Sequence, residues 1–153
     1  GGRGPKTRRE ARKMTTISAR NKIAGTVEYV KEGAVNAVVA IAYEGGVIKA
    51  DITMDAVAEL GLEAGKPATA VIKASNVIFA AGSEKVAGIS ARNQFVGTVA
   101  EVRRGAVNGH VALDCGAFQV KGSITNEAIE ELGLEAGKPA VAIVKSTDVM
   151  VMA

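Results

Sequence analysis

The pentapeptide ISARN fills residues 17–21, and the same five letters return at 89–93. A strand needs no particular order of serine, arginine and asparagine, so backbone preference does not account for the recurrence. Sliding the sequence by 72 residues aligns 17–81 with 89–153 without a gap: GTV falls on GTV, GAVN on GAVN and ELGLEAGKPA on itself, and 33 of 65 positions are identical. The chain is a duplication. Solenoid arrays take three or more repeats to bury a continuous core, so two copies point to two compact modules, residues 15–81 and 89–153, joined by GSEKVAG at 82–88. A linker of that length spans at most about 25 Å, which puts the modules side by side.

Within each unit the patterns are mainly those of strands. KIAGTVEYV alternates and is rich in valine, AVNAVVAIAY is a longer apolar run, GGVIKADIT follows a Gly-Gly turn, and ATAVIKASNVIFA holds one or two strands. TMDAVAELG and its counterpart TNEAIEELG differ: a polar start, apolar residues at helical spacing and a glycine stop describe a short helix. EAGKP then turns the chain back into a strand. Five strands and one short helix in about 65 residues fit an all-β fold, a pair of tandem five-stranded barrels of the oligonucleotide/oligosaccharide-binding type. A unit of that size buries only about 60% of its unfolded surface, so association with neighbours is expected.

Composition narrows the function. The 153 residues are 48% apolar and 23% charged, as in globular proteins, with 3% aromatic residues and no tryptophan. Few aromatics means few stacking platforms, which weighs against single-stranded nucleic acid as a partner. The formal charge of +3 is uneven: residues 1–14, GGRGPKTRREARKM, carry +5, from six basic residues and Glu10, and the remainder carries −2, from 13 basic and 15 acidic residues. This tail reads as a disordered basic segment. One cysteine, Cys115, excludes an internal disulfide and cysteine-rich zinc sites. With neither a membrane-length apolar run nor an apolar stretch after the basic start, the chain reads as soluble and cytoplasmic.

These motifs, ISARN at the first strand, GTV after it, GAVN at the second strand, IT before the helix, LGL with a following glycine, and IKAS before the last strand, resemble the molybdate-binding Mop module, or molbindin. The resemblance covers nearly all of both units and is similar to tandem di-Mop storage proteins. It implies an oligonucleotide-binding-like barrel, oligomers of three-fold symmetry, and molybdate or tungstate held between subunits. Three chains would then give a homotrimer of six barrels.

The chemistry of the motif agrees. Molybdate is a proton-free tetrahedral dianion at neutral pH, so its site needs donors only. Ser18, Arg20, Lys73 and Ser75 offer a guanidinium fork, an ammonium and two hydroxyls, and Ala19 and Ala74 lie at irregular strand ends that add backbone N–H groups. Burying an ion costs several kcal/mol, and each charge-assisted hydrogen bond returns about 1.5–3, so the donors must be pooled from several strands or subunits. The second unit repeats the set as Ser90, Ala91, Arg92, Lys145, Ser146 and Thr147, with KAS changed to KST. Thr53 and Thr125 are placed either to reach the anion or to cap the helix. Asn21 and Asn93 fall within the motif, but their amides suit the backbone better than an anion. The resemblance also allows a second kind of oxyanion site around Val35, Asn36, Val107 and Asn108, for which a turn into a strand is the plainer reading.

No catalytic constellation is present. His110, the single histidine, aligns with Val38, Cys115 aligns with Tyr43, and neither has catalytic partners, so the chain reads as a binding protein without a catalytic cofactor. The expected function is storage of molybdate or tungstate. A second reading makes the tandem the sensing part of a molybdate-responsive transcription regulator, with its DNA-binding helices outside these residues. A nucleic-acid-binding barrel is the third.

Overall fold

In NKIAGTVEYVKE the inward Asn21, Ile23 and Val27 alternate with the outward Lys22, Ala24 and Thr26, giving a long strand, β1 (Asn21–Glu32). It pairs antiparallel with β2 (Asn36–Tyr43), which pairs with β3 (Gly46–Thr53). The computed structural model describes residues 21–91 and 93–153. The tail at 1–14 therefore lies outside the described residues. A bulge between Val27 and Tyr29 bends β1, so one strand serves two parts of a small curved sheet. Gly25 of the GTV motif sits where a Cβ would run into the carbonyl oxygen of Ala42, and Gly97 meets Asp114 in the same way. That close approach explains why GTV is repeated.

The helix forms where the sequence places it. α1 (Met54–Leu60) starts at Thr53, whose Oγ1 accepts from the Ala56 N–H at 3.1 Å, and ends at Gly61 in the left-handed conformation, φ 62°. β4 (Pro67–Ile72) returns along β1, a 3-10 turn covers Ala74–Asn76, and β5 (Ile78–Ala81) follows. The second repeat gives β6 (Asn93–Arg104), β7 (Asn108–Asp114), β8 (Gln119–Thr125), α2 (Asn126–Leu132), β9 (Pro139–Val144), a 3-10 turn at Ser146–Asp148 and β10 (Val149–Met152). Thr125 and Gly133 cap α2 as Thr53 and Gly61 cap α1.

The sheets do not follow the repeats. One has the order β10-β4-β1-β2-β3 and the other β5-β9-β6-β7-β8, so the last strand of each repeat completes the other's sheet. β10 pairs with β4 from Val149↔Ile72 to Met152↔Thr69, and β5 pairs with β9 from Ile78↔Ile143 to Ala81↔Ala140. β10 also lies near β3, which brings the two ends of the sheet together without a ladder between them. The boundaries 15–81, 82–88 and 89–153 thus mark units of sequence. Two compact modules lying side by side were expected, each too small to be stable alone; the exchange of β5 and β10 interlocks the two barrels. The physical reason is the 3-10 turn, which ends each fourth strand and sends the fifth across to the neighbour.

A single apolar core results. Val77 and Phe79 of the first repeat and Val149 of the second are buried in the same cluster as Ile41, Ile48, Leu113 and Val120. Each such fully buried side chain is worth about 1.5–3 kcal/mol, so the exchanged strands contribute heavily. Phe79 fits because position 122 is glycine: a Cβ there would strike its ring. The equivalent positions in the other barrel are Val151 and Ala50: the side chain is smaller than Phe79 where the residue opposite is larger than Gly122. Tyr43, Phe95 and Phe118 form a further contact between repeats, with edge-on ring centroids 5.1 Å apart for Tyr43–Phe118 and 5.4 Å for Phe95–Phe118.

Candidate functional site

The registers of β1 on β4 and of β6 on β9 set the last residue of each ISARN motif opposite the residue before a lysine. Asn21, the last letter of ISARN, faces Ile72, the residue before Lys73, and Asn93 faces Val144, the residue before Lys145. Ser18, Ala19, Arg20 and Arg92 lie outside the described residues. Ser90 is exposed and Ala91 half-buried just ahead of β6.

Both asparagine side chains are buried, 3% exposed each, and both are committed to backbone. The Asn21 Nδ2–H donates to the carbonyls of Ile72 at 3.2 Å and Lys121 at 2.8 Å, while its Oδ1 accepts from the Lys121 N–H at 2.7 Å. Asn93 makes the reciprocal pair with Lys49, accepting its N–H at 2.8 Å and donating to its C=O at 2.9 Å. β3 and β8 end their sheets, so their outward peptide groups are open edges, and each asparagine satisfies one peptide of the other repeat's edge. Although Asn21 and Asn93 were counted among the oxyanion-binding candidates, their amides hold the two barrels together instead.

Lys73 and Lys145 precede the 3-10 turns with extended backbone, φ −71° and −69°, and their side chains are exposed. Ser75 and Thr147 are exposed, and Ala74 and Ser146 half-buried, within turns that pack on β8 and β3 of the opposite repeat. These donors therefore stand at the seam between repeats, and neither Lys73 nor Lys145 takes part in an ion pair among the described residues. A cleft of about 200 Å³ opens there, lined by Ala74, Arg103, His110, Gln119 and Lys121 among others.

Thr53 and Thr125 belong elsewhere. Thr53 faces Asn36 across β2–β3, Thr125 faces Asn108 across β7–β8, and each hydroxyl caps its helix. A capping hydroxyl accepts with its oxygen and keeps its own proton to donate. The GAVN turns lie at that same end: the carbonyl of Val35 accepts from the Met54 N–H at 2.8 Å and that of Val107 from the Asn126 N–H at 2.8 Å. Val35 and Val107 are 72% and 69% exposed. Asn36 and Asp51 share a cleft of about 250 Å³, and the Asp51 Oδ1 is buried without a partner, a poor neighbour for an anion. The equivalent of Asp51 in the second repeat is Ser123.

Displaced acidities fall away from these residues. Burial pushes the Cys115 thiol up to about 11, helped by the charge of Asp114, and burial followed by Cys115 raises Tyr43. No group of three or more His, Cys, Asp or Glu that could hold a metal ion occurs among the described residues. What the seam presents is hydroxyls and ammonium groups, with the Arg103 guanidinium, His110 and the Glu101 carboxylate in the same cleft.

The TOBE domain matches residues 17–79 and again 89–151. The chain belongs to the TOBE-domain family. Among relatives of the tandem TOBE chain are the molybdenum transport protein ModE of Herbaspirillum seropedicae, 40% identical over 136 residues, 88% of this chain and 50% of that protein, and the molybdenum-pterin-binding protein MopA of Rhodobacter capsulatus, 40% identical over 135 residues, 87% and 51%. The chain spans about half the length of these curated relatives. A probable molybdenum-pterin-binding protein of Haemophilus influenzae matches one TOBE unit, 48% identical over 64 residues, 41% of this chain and 93% of that protein. The cytoplasmic molybdate-binding protein ModG, solved with molybdate bound, superposes with a TM-score of 0.84 at 41% identity, covering 89% of this chain and 97% of its own. The all-β tandem architecture and the Mop resemblance both hold.

The seam also contains residues the donor motifs did not include. Lys49 and Lys121 are equivalent in the TOBE repeats and carry the backbone that the asparagines grip. Their signal in sequence was faint: a lysine kept at one position in strands that otherwise differ, GVIKADIT and FQVKGSIT, until the shared IT.

Proposed function

We propose that this protein binds molybdate or tungstate reversibly in donor-lined sites at the seam between its repeats, and so stores the oxyanion. The observation that carries the reading is the pairing of Asn21 with Ile72 and of Asn93 with Val144, because it joins the ISARN motif of each repeat to its Lys73–Ser75 or Lys145–Thr147 motif. The likeness to ModG supports the ligand class, since 97% of that molybdate-binding chain is matched. It also favours storage over the sensing role: nothing in the site needs a DNA-binding partner in order to hold an anion.

Binding is the whole of the proposed activity, without catalysis. Lysine and arginine only donate hydrogen bonds, and the serine and threonine hydroxyls can donate theirs, a set that suits a dianion without protons better than phosphate, partly protonated at neutral pH. Sulfate is discriminated less strongly, by size alone. The GAVN turns are proposed as weaker oxyanion sites, the second the better of the two because Ser123 stands there at the position of Asp51. Assembly into a homotrimer of six barrels and a cytoplasmic location complete the reading. No helix among the described residues is long and apolar enough to cross a membrane.

Titration calorimetry with molybdate, tungstate, sulfate and phosphate tests the reading. Strong binding of the first two, weaker binding of sulfate and little of phosphate is expected; heat from phosphate alone contradicts it.

A further inference from the structure

We propose that Lys121 and Lys49 are additional oxyanion-binding residues, each delivered to the other repeat's site by the asparagine that grips its backbone. The inference rests on the oxyanion reading above and goes beyond the ISARN and KAS/KST donors. Lys121 lies between the buried Val120 and Gly122 on β8, so its side chain points outward, and it shares the 200 Å³ cleft with Ala74 of the docked 3-10 turn. Asn21, which fixes the Lys121 peptide at 2.7 and 2.8 Å, also reaches the carbonyl of Ile72, the residue before Lys73. One asparagine thus fixes both the Lys121 peptide and the carbonyl just before Lys73. The second repeat repeats the arrangement: Asn93 grips Lys49, and the Ser146–Asp148 turn packs on β3.

The chemistry favours a ligand role. A clamp made only to backbone leaves the lysine side chain out of the structural bonds, so selection for the clamp alone places no demand on its identity; yet lysine stands at both positions. Neither ammonium takes part in an ion pair among the described residues. In the Lys121 cleft the Glu101 carboxylate is paired with Arg103 at 3.6 Å, which leaves the lysine ammonium to attract an anion, and a dianion supplies that charge. Each site then draws cations from both repeats, which ties occupancy to the interlocked barrel.

The test uses the full chain as Lys121→Gln, Lys49→Gln, and both together, with Lys121→Arg as the charge-retaining variant. Equilibrium dialysis against molybdate at two salt concentrations is read beside the melting temperature of ligand-free protein. Each single variant should bind about tenfold to a hundredfold more weakly in half of the seam sites, the range for losing one hydrogen bond to a charged group. The salt dependence should be shallower, the melting temperature unchanged, and Lys121→Arg partly restored. Wild-type affinity and salt dependence in the double variant overturn the inference while leaving the oxyanion reading standing. A wild-type chain that takes up no molybdate overturns that reading, and this one with it.

Discussion

Asn21 of the first repeat and Lys121 of the second are joined by two hydrogen bonds, side-chain amide to peptide, at 2.8 and 2.7 Å. The amide completes the edge of β8 as a further strand would. Asn21→Ala should leave a donor and an acceptor of Lys121 unpaired and cost about 1–3 kcal/mol of stability, read as a lower midpoint in urea unfolding. Asn21→Asp should not rescue it, because a carboxylate accepts from the N–H but cannot donate to the two carbonyls. An unchanged midpoint in both would show that solvent serves β8 equally well.

Exchange of β5 and β10 predicts the behaviour of a single repeat. Residues 15–81 expressed alone keep β5 but have no β9 for it to pair with, so the fragment should be a strand-exchanged dimer or remain unfolded at low concentration. Light scattering together with circular dichroism checks this. A folded monomer would mean that β5 can close its own barrel.

The pH response follows from Cys115. Its thiol is held at about 11 against an ordinary 9.0, because burial disfavours the thiolate. Between those values the folded protein holds a proton that the unfolded chain releases, so stability should be flat below pH 9 and fall from there to about pH 11, with Tyr43 acting in the same direction. Urea midpoints at pH 8 and 10.5 test the sign. Alkylation of Cys115 at pH 8 should also be slower than that of an unfolded control.

The sequence was informative where a single repeat decides the structure. The strands and the capped helix from Thr53 to Gly61 follow from local patterns, whereas ATAVIKASNVIFA was open to one strand or two until the 3-10 turn at Ala74–Asn76 divided it. The strand exchange was not legible, because PATAVI and PAVAIV offer nearly the same surface to VIFA and to VMVM, and pattern cannot state which partner is taken. The repeated asparagine was read as part of a donor motif, although its amide was expected to prefer backbone. Its actual acceptors lie 51 and 100 residues away, beyond any local signal. Lys49 and Lys121 escaped notice for the same reason: their setting comes from the opposite repeat.

The central claim is that the repeated ISARN motifs serve separate oxyanion sites. Arg20→Ala and Arg92→Ala test it most directly, through bound molybdenum per chain by elemental analysis after saturation and dialysis, with the melting temperature of ligand-free protein as the control. Each variant should keep half the wild-type capacity of the seam sites. The melting temperature should hardly move, since an arginine whose partner is the ligand adds little to the stability of the ligand-free chain. Full capacity in both variants would show that the motif is scaffold and contradict the account.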